Sequence, residues 1–326
     1  MPLLFALASL PALIQTPPPV PPLQVPAPDR ELGFAGFNLQ PLKASVLSGE
    51  GPLFAVMVAG SGPTDRNWSN PMLPKGQAGK DLALWLRQQG IGSLRFDKRF
   101  IGSKDPKLDI SLDAQLGDLR AALKAAKSLP EAKGRKLLLV GHSEGALLGL
   151  MVASEADALL LIGLPGQSLA RTIQAQLKLQ LPPGTEKANL AFMEAGFEAI
   201  RKGRPAPEGG PEVFPNMVAL AKSLMRPESL DFVKATLDLD PWVLAGRVSV
   251  PCAAVWGDRD VQTPKPERVP EAFKGEVIQL SETNHLLRRE TRSLDELNGA
   301  TAVTAYGGET PMADLSPLAT WLKRIH

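Results

Sequence analysis

The feature that most constrains this chain is the pentapeptide Gly-His-Ser-Glu-Gly at residues 141–145, which directly follows an apolar run at residues 136–140. The run is typical of a buried β-strand, and residues 146–153 are apolar on all sides, as in a buried helix. A Gly-x-Ser-x-Gly turn between a strand and a helix is sharp, because its glycines permit close approach, and it exposes the serine hydroxyl. The segment therefore predicts an α/β fold in which Ser143 is a nucleophile. The alternative is a glycine-rich turn that carries a surface serine.

A nucleophilic serine needs a general base, and the chain contains three histidines. His142 is next to the serine on the turn, so its side chain is expected to point away from the hydroxyl and to pack within the turn. His326 is the last residue and is expected to fray. His285 follows a strand-like run at residues 276–280, in a loop at a strand's carboxyl end. We predict that His285 is the base; the alternative is a structural histidine.

An orienting carboxylate is expected beside the base, because it holds the imidazole in the tautomer that accepts the serine proton. Residues 250–256 are typical of a buried strand, and Asp258 and Asp260 follow them. The spacing after the strand favours Asp260. Asp258 is nearer the strand and is expected to support the turn through backbone hydrogen bonds. The predicted triad is Ser143, His285 and Asp260, with Asp258 as the alternative acid.

Backbone N–H groups are expected to bind the negative oxygen that forms during acyl transfer. The N–H of Glu144, directly after the nucleophile, is one predicted donor. The second is expected from the glycine-rich loop at residues 60–66, which follows a strand-like run at residues 53–59. We favour the Ser61 N–H, with Gly62 as the alternative donor. The other interpretation of this loop is an ordinary glycine-rich turn. A phosphate-binding loop is excluded, because no Gly-Lys-Ser/Thr follows.

These motifs together resemble the α/β-hydrolase superfamily, and within it a bacterial branch of serine esterases and acyl hydrolases of the EstD carboxylesterase type. The likeness runs from about residue 35 to the end of the chain. Three segments carry the likeness besides the turn at Ser143. They are an oxyanion-loop motif at residues 59–66, a strand-end Asp-Lys-Arg motif at residues 94–99, and the start of a helical insert at residues 164–166 and 173–177. Two positions depart from the family pattern, because Phe100 and Ala146 stand where the family usually has glycine.

The resemblance implies an α/β-hydrolase fold, with a mostly parallel central sheet, helices on both faces and a helical cap inserted after strand 6. The order serine, aspartate, histidine along the chain is the order of this superfamily. The implied activity is cleavage of carboxylic esters with short to medium acyl groups through an acyl-serine intermediate. A peptidase or amidase and a non-catalytic binding scaffold of the same fold are the alternatives, because one fold hosts many functions.

The alternation of strand-like and helix-like segments stops after residue 165 and resumes at residue 248. This divides the chain into a first core part at residues 31–165, an insert at residues 166–247 and a second core part at residues 248–326. The insert is predicted to be helical because apolar residues recur in steps of three and four at Leu190, Met193, Phe197 and Ile200. We expect it to cover the nucleophile; the alternative is a packed subdomain remote from the site.

Composition agrees with an enzyme that acts on a small ester substrate. The net charge of +2, with both signs mixed along the chain, gives no indication of nucleic-acid binding. The single cysteine, Cys252, lies in a predicted strand and is expected to be part of the core. No Cys/His cluster is present in the sequence, so no metal site is predicted, and the expected reaction needs no cofactor. The oligomeric state stays open.

Residues 1–30 form a separate segment. Residues 3–14 are apolar but too short to span a bilayer, and residues 16–30 contain seven prolines, as in an extended linker. This pattern predicts a signal-like segment and an exported protein, periplasmic or extracellular. No Lys or Arg precedes Arg30, so the charged start of a signal is missing. The alternative is a cytoplasmic protein with a disordered N-terminal arm.

Overall fold

The structure is a computed structural model that describes residues 29–69, 76–105, 107–297 and 310–325. The signal-like segment, apart from its last two residues, and His326 therefore lie outside the described residues. The strands are β1 Arg30–Ala35, β2 Pro41–Leu47, β3 Leu53–Val58, β4 Gly92–Phe96, β5 Lys136–His142, β6 Ala158–Ile162, β7 Cys252–Gly257 and β8 Glu276–Leu280. The helices are α1 Ala78–Gln88, α2 Leu112–Lys127, α3 Glu144–Met151, α4 Leu169–Gln180, α5 Glu186–Arg201, α6 Pro215–Leu224, α7 Pro227–Thr236, α8 Pro241–Ala245 and α9 Ser316–Arg324.

All eight strands form one sheet in the order β1-β2-β4-β3-β5-β6-β7-β8. Strand β2 runs antiparallel to both of its neighbours, β1 and β4, whereas β3 to β8 are parallel to one another. The prediction of a mostly parallel sheet is confirmed. Since the carboxyl ends of parallel strands share one edge, the loops after β3, β5, β7 and β8 meet there, as expected for a ligand site in such a sheet.

Two apolar layers cover the sheet, one on each face. One layer joins α1 and α9 to the strands, and Leu82, Leu86 and Leu318 are among its fully buried members. The other joins α2 and α3 to the opposite face, and Leu119 and Leu123 of α2 are among its buried members. The central strands are buried on both faces, which explains why they are apolar throughout. The prediction of helices on both faces is confirmed.

Helices α4 to α8 lie between β6 and β7, and we call residues 166–247 the helical insert. Its predicted stripe on α5 is buried in a separate apolar cluster that includes Met193, Phe197 and Ile200. The indole Nε1–H of Trp242 donates to the Gly166 carbonyl at 2.9 Å, which ties the end of the insert to its start. The insert therefore has a core of its own, and a hydrogen bond joins its two ends.

Some elements were missing from the sequence prediction. Strands β1 and β2 and helix α9 were not predicted, and β2 is the strand that runs against the others. No helix within the described ranges is both long and apolar enough to cross a membrane.

Candidate active site

Ser143 lies at the turn between β5 and α3, with φ 55° and ψ −120°. Residues other than glycine rarely adopt a positive φ, and such strain is concentrated at functional sites. The Ser143 N–H donates to the Ile162 carbonyl at 2.8 Å, which holds the strained residue against β6. A Cβ atom at Gly145 would lie 2.5 Å from the Val58 carbonyl oxygen, and one at Gly141 would overlap the Gly145 carbonyl. Both glycines are therefore required for this tight turn, which has the geometry of a nucleophile elbow.

His285 and Asp260 form a buried pair. The Nδ1–H of His285 donates to Asp260 Oδ2 at 2.7 Å, and the two residues are only 4% and 2% exposed. The same carboxylate oxygen accepts from the Thr263 hydroxyl at 3.0 Å, and Oδ1 accepts from the N–H groups of Gln262 and Thr263 at 2.9 Å each. This arrangement assigns the His285 proton to Nδ1 and leaves Nε2 as the acceptor nitrogen.

The pKa of the Asp260 carboxyl reflects opposing causes. Burial acts to raise it, but the neighbouring His285 and the N–H donors of Thr263 and Gln262 outweigh burial and hold the pKa below its ordinary value. The acid is thus ionised at neutral pH. A buried carboxylate on Nδ1 orients the imidazole and stabilises its protonated form.

Asp258, the alternative acid, has a different role in the structure. Its Oδ1 accepts from the Thr283 N–H at 3.3 Å, and its own N–H donates to the Leu280 carbonyl at 2.9 Å. These bonds join the loop after β7 to the end of β8 and to the loop that follows it. The carboxylate that contacts His285 is Asp260.

The loop that carries His285 is fixed by its neighbours. The side-chain oxygen of Asn284 accepts from the N–H groups of Leu286 and Arg288 at 2.9 and 3.1 Å. The guanidinium of Arg288 reaches Asp81 on α1 at 2.5 Å. His285 therefore stands on a closed turn anchored to a helix, rather than on a free loop.

His142 packs directly behind His285. Its Nε2 lies 2.9 Å from the His285 carbonyl oxygen, to which it donates, and the two ring centroids are 4.6 Å apart. On its other side His142 stacks on Trp68, with ring centroids 4.6 Å apart and planes at 20°. Burial and the nearby His285 lower the pKa of His142 to about 3, so its ring is neutral. The predicted packing role therefore includes support of the His285 backbone, and no local sequence signal points to Trp68.

These contacts bring the elbow and the pair together at one edge of the sheet. His142 precedes the serine directly and bonds to the backbone of His285. Ile162 accepts the Ser143 N–H, and a Cβ atom at the following residue, Gly163, would lie 3.0 Å from His285 Cε1. The three predicted triad residues thus follow β5, β7 and β8 at their carboxyl ends.

Ser61 and Glu144, the residues of the two predicted oxyanion donors, lie beside Ser143. Glu144 begins α3, so its N–H belongs to the unpaired amino end of that helix. The loop with Ser61 contacts the elbow, because a Cβ atom at Gly60 would lie 3.2 Å from Ser143 Cβ. The Thr64 hydroxyl donates to the Ser61 carbonyl at 2.8 Å and closes that loop on itself.

A cavity of about 190 Å³ separates the elbow from the helical insert. Ser61, Ser143 and Glu144 line it from the sheet side. The insert contributes apolar side chains, among them Leu169, Ile173, Phe232 and Leu239. The Gln176 amide of α4 donates to the Gln262 carbonyl at 2.9 Å, which attaches the insert to the loop that carries Asp260. The cavity has Ser143 and Glu144 on its polar floor, and its walls combine these apolar side chains with polar ones, namely Gln167, Thr172, Gln176 and Thr236. It is smaller than the roughly 300–1,000 Å³ that is usual for drug-sized ligands.

Comparison with known proteins gives a family and several relatives. A model of the alpha/beta hydrolase family matches residues 55–300. Esterase EstD of Thermotoga maritima is 28% identical over 283 residues, which cover 84% of this chain and 61% of EstD, so the chain spans about three fifths of that relative's length. Among solved structures, esterase Pf2001 of Pyrococcus furiosus matches with a TM-score of 0.54 and 15% identity over 91% of each chain. The alpha/beta hydrolase GrgF of Penicillium sp. sh18 matches with a TM-score of 0.52 and 20% identity over 91% of this chain and 99% of GrgF.

Proposed function

Because the chain belongs to the alpha/beta hydrolase family, we propose that it is a serine hydrolase that cleaves carboxylic esters with short to medium acyl groups. The observation that carries the proposal is the buried His285–Asp260 pair beside the strained elbow of Ser143. Nucleophilic acyl transfer requires a serine hydroxyl and an imidazole that a carboxylate orients, and here both lie at the same edge of the sheet. The similarity to an esterase over most of this chain supports ester cleavage.

In the proposed reaction His285 accepts the Ser143 proton at Nε2 as the hydroxyl oxygen attacks the ester carbonyl. The N–H groups of Glu144 and Ser61 bind the resulting oxyanion, and each contributes roughly 3 kcal/mol to lowering the barrier. His285 then protonates the leaving alcohol, and an acyl-serine remains. Water, deprotonated by His285, attacks the acyl carbon and releases the acid, while Asp260 stabilises the protonated imidazole in both halves.

The proposed acyl range follows from the cavity. The walls supplied by Leu169, Ile173 and Phe232 are apolar and suit an alkyl chain, whereas the polar floor suits the ester group. A volume of about 190 Å³ accommodates a short chain more readily than a long one. We expect turnover of p-nitrophenyl esters to be highest at short to medium chain length and to fall towards palmitate.

The decisive experiment compares Ser143→Ala with the wild-type protein on that ester panel. Ser143→Ala is expected to lose at least about 10⁴-fold in kcat, because the nucleophile is removed. Its melting temperature should stay that of the wild type. Ser128→Ala, at the exposed end of α2, is the matched control and should keep full turnover. Wild-type turnover by Ser143→Ala would exclude Ser143 as the nucleophile.

Two further measurements separate the alternatives. A fluorophosphonate probe should label the wild-type protein at Ser143, whereas a binding scaffold of the same fold should not react. An aminoacyl p-nitroanilide should turn over much more slowly than the matching ester. Faster turnover of the amide would instead identify a peptidase or amidase.

A further inference from the structure

Three consecutive charged residues follow β4, and all three are buried. Asp97, Lys98 and Arg99 are 8%, 6% and 4% exposed. Burial of a charge is costly unless the charge is paired and hydrogen-bonded, so the partners of these residues indicate what the motif is for. The proposed reaction assigns no role to any of them.

The two outer residues of the motif hold elements on either side of the elbow. Asp97 Oδ1 accepts from the Arg66 N–H at 2.9 Å, in the loop that carries Ser61. The guanidinium of Arg99 makes two bonds of 2.7 Å to Asp118 on α2, a bidentate pair of the strong kind. Lys98 therefore stands between two fixed neighbours, and its backbone has little freedom to shift.

Lys98 itself reaches the elbow. Its Nζ lies 2.6 Å from Glu144 Oε1, and the two side chains are only 5% and 19% exposed. The ammonium also lies 5.8 Å from the centre of the Phe100 ring. Phe100 is one of the two residues that stand where the family usually has glycine. This pair is largely shielded from water, so its charges interact more strongly than those of an exposed surface pair.

The position of Glu144 makes its charge relevant to catalysis. Glu144 directly follows Ser143, begins α3 and lines the same cavity. The amino end of a helix attracts negative charge, whether that charge belongs to a side chain or to a reacting oxygen. A carboxylate without a cation at this point would repel the oxyanion and compete with it for the same N–H groups.

We propose that Lys98 is a positioning residue, which neutralises the Glu144 carboxylate so that the oxyanion forms beside it without repulsion. The inference rests on the proposed function, because it concerns the oxyanion of that reaction. The effect acts on the transition state, where the negative charge develops, and only weakly on the uncharged ester. Loss of Lys98 should therefore lower kcat and leave KM nearly unchanged.

The test is a double-mutant cycle with Lys98→Met, Glu144→Gln and the double variant. Lys98→Met should lose roughly 10- to 100-fold in kcat for the best p-nitrophenyl ester. Glu144→Gln, which adds no charge, should lose only about threefold. Adding Lys98→Met to Glu144→Gln should cost less than about threefold more, because no carboxylate is left to neutralise. Lys202→Met, which breaks the exposed pair with Glu198, is the matched control and should keep wild-type turnover.

The outcomes separate this inference from the proposed function. If the wild-type protein hydrolyses esters and Ser143→Ala does not, the reaction stands whatever Lys98 does. Wild-type kcat in Lys98→Met, or an equal loss in the presence and absence of the Glu144 carboxylate, would overturn the role of Lys98. If Lys98→Met fails to fold, the comparison of kcat between the double variant and Glu144→Gln decides alone. A loss of about 10-fold or more in kcat on adding Lys98→Met to Glu144→Gln means that Lys98 does not act through the charge of Glu144.

Discussion

His142 offers a quantitative test of the packing behind the candidate base. In the folded protein its ring is enclosed between Trp68 and His285, and its pKa falls from 6.5 to about 3. Unfolding exposes the ring, which regains its ordinary pKa. The folded and unfolded chains therefore bind different numbers of protons at this residue between about pH 3 and pH 6.5.

The sign and size of the effect follow from this difference. Because the folded-state pKa is lowered, protonation favours the unfolded chain, and the free energy of unfolding decreases as the pH falls below 6.5. Lowering the pH from 7 to 5 should remove about 2 kcal/mol through His142 alone. At pH 5 the folded protein still holds residue 142 neutral, since that pH remains well above the folded-state pKa of about 3.

The assay is urea unfolding of the wild type and of His142→Gln at pH 7 and pH 5. Glutamine does not titrate and can still donate to the His285 carbonyl. Other titrating groups are common to both proteins, so their contributions cancel in the comparison. The wild type should lose about 2 kcal/mol more than the variant between the two pH values. Equal losses in the two proteins would refute a buried, neutral His142.

Three further predictions concern single positions. Asp260→Asn should lower kcat for ester hydrolysis by about 10⁴-fold, because the imidazole loses its orienting charge. Asp258→Asn should lower kcat by less than about tenfold, and equal losses in the two variants would contradict the assignment of Asp260. Gly163→Ala should lower kcat roughly tenfold and lower the free energy of unfolding in urea by about 1 kcal/mol or more. The reason is that φ is 57° at this residue and the new Cβ would lie 3.0 Å from His285 Cε1. Unchanged activity and stability would argue against that proximity. Iodoacetamide at pH 8 should leave ester turnover intact, because burial raises the pKa of the Cys252 thiol to about 12; rapid inactivation would show that this thiol is accessible and ionised.

The fold was predictable from the sequence where strands form short runs of mainly apolar or β-branched residues. Strand β8 begins and ends where the sequence predicts, and β5 extends by only two residues into the elbow. Strand β1 is an edge strand, with Arg30 and Glu31 exposed, so its hydrophobic pattern is weak. Strand β2 alternates buried Leu42, Ala44 and Val46 with polar residues, a period-two signal that sequence reasoning could have used.

The candidate site was predictable in its residue types but not in its supporting contacts. Ser143 could be proposed because its motif is local. His285 and Asp260 could be proposed because loops at the carboxyl ends of parallel strands share an edge. The structure joins His285 and Asp260 by a hydrogen bond, and their part in catalysis stays a prediction.

The contacts that surround the pair join residues far apart in the chain. The Nε2–H of His142 donates to the His285 carbonyl, and Trp68, in a different loop, stacks on the ring of His142. Lys98 belongs to a recognised motif, but its pairing with Glu144 depends on how the end of β4 faces the start of α3. One-dimensional spacing carries no information on such packing, which the tertiary fold alone determines.

The attachment of the helical insert has a consequence for how new specificities could arise. Strands β6 and β7, which flank the insert, pair directly, with Leu159 opposite Cys252 and Ile162 opposite Val255. The two strands are thus hydrogen-bonded to each other without any residue of the insert between them, and the insert is stabilised by an apolar core of its own. Replacing the insert by a segment of different length would change the side chains that line the cavity, while the pairing of β6 with β7 remained intact. Exchange of the insert at this junction is therefore a route by which the same candidate site could acquire new substrates.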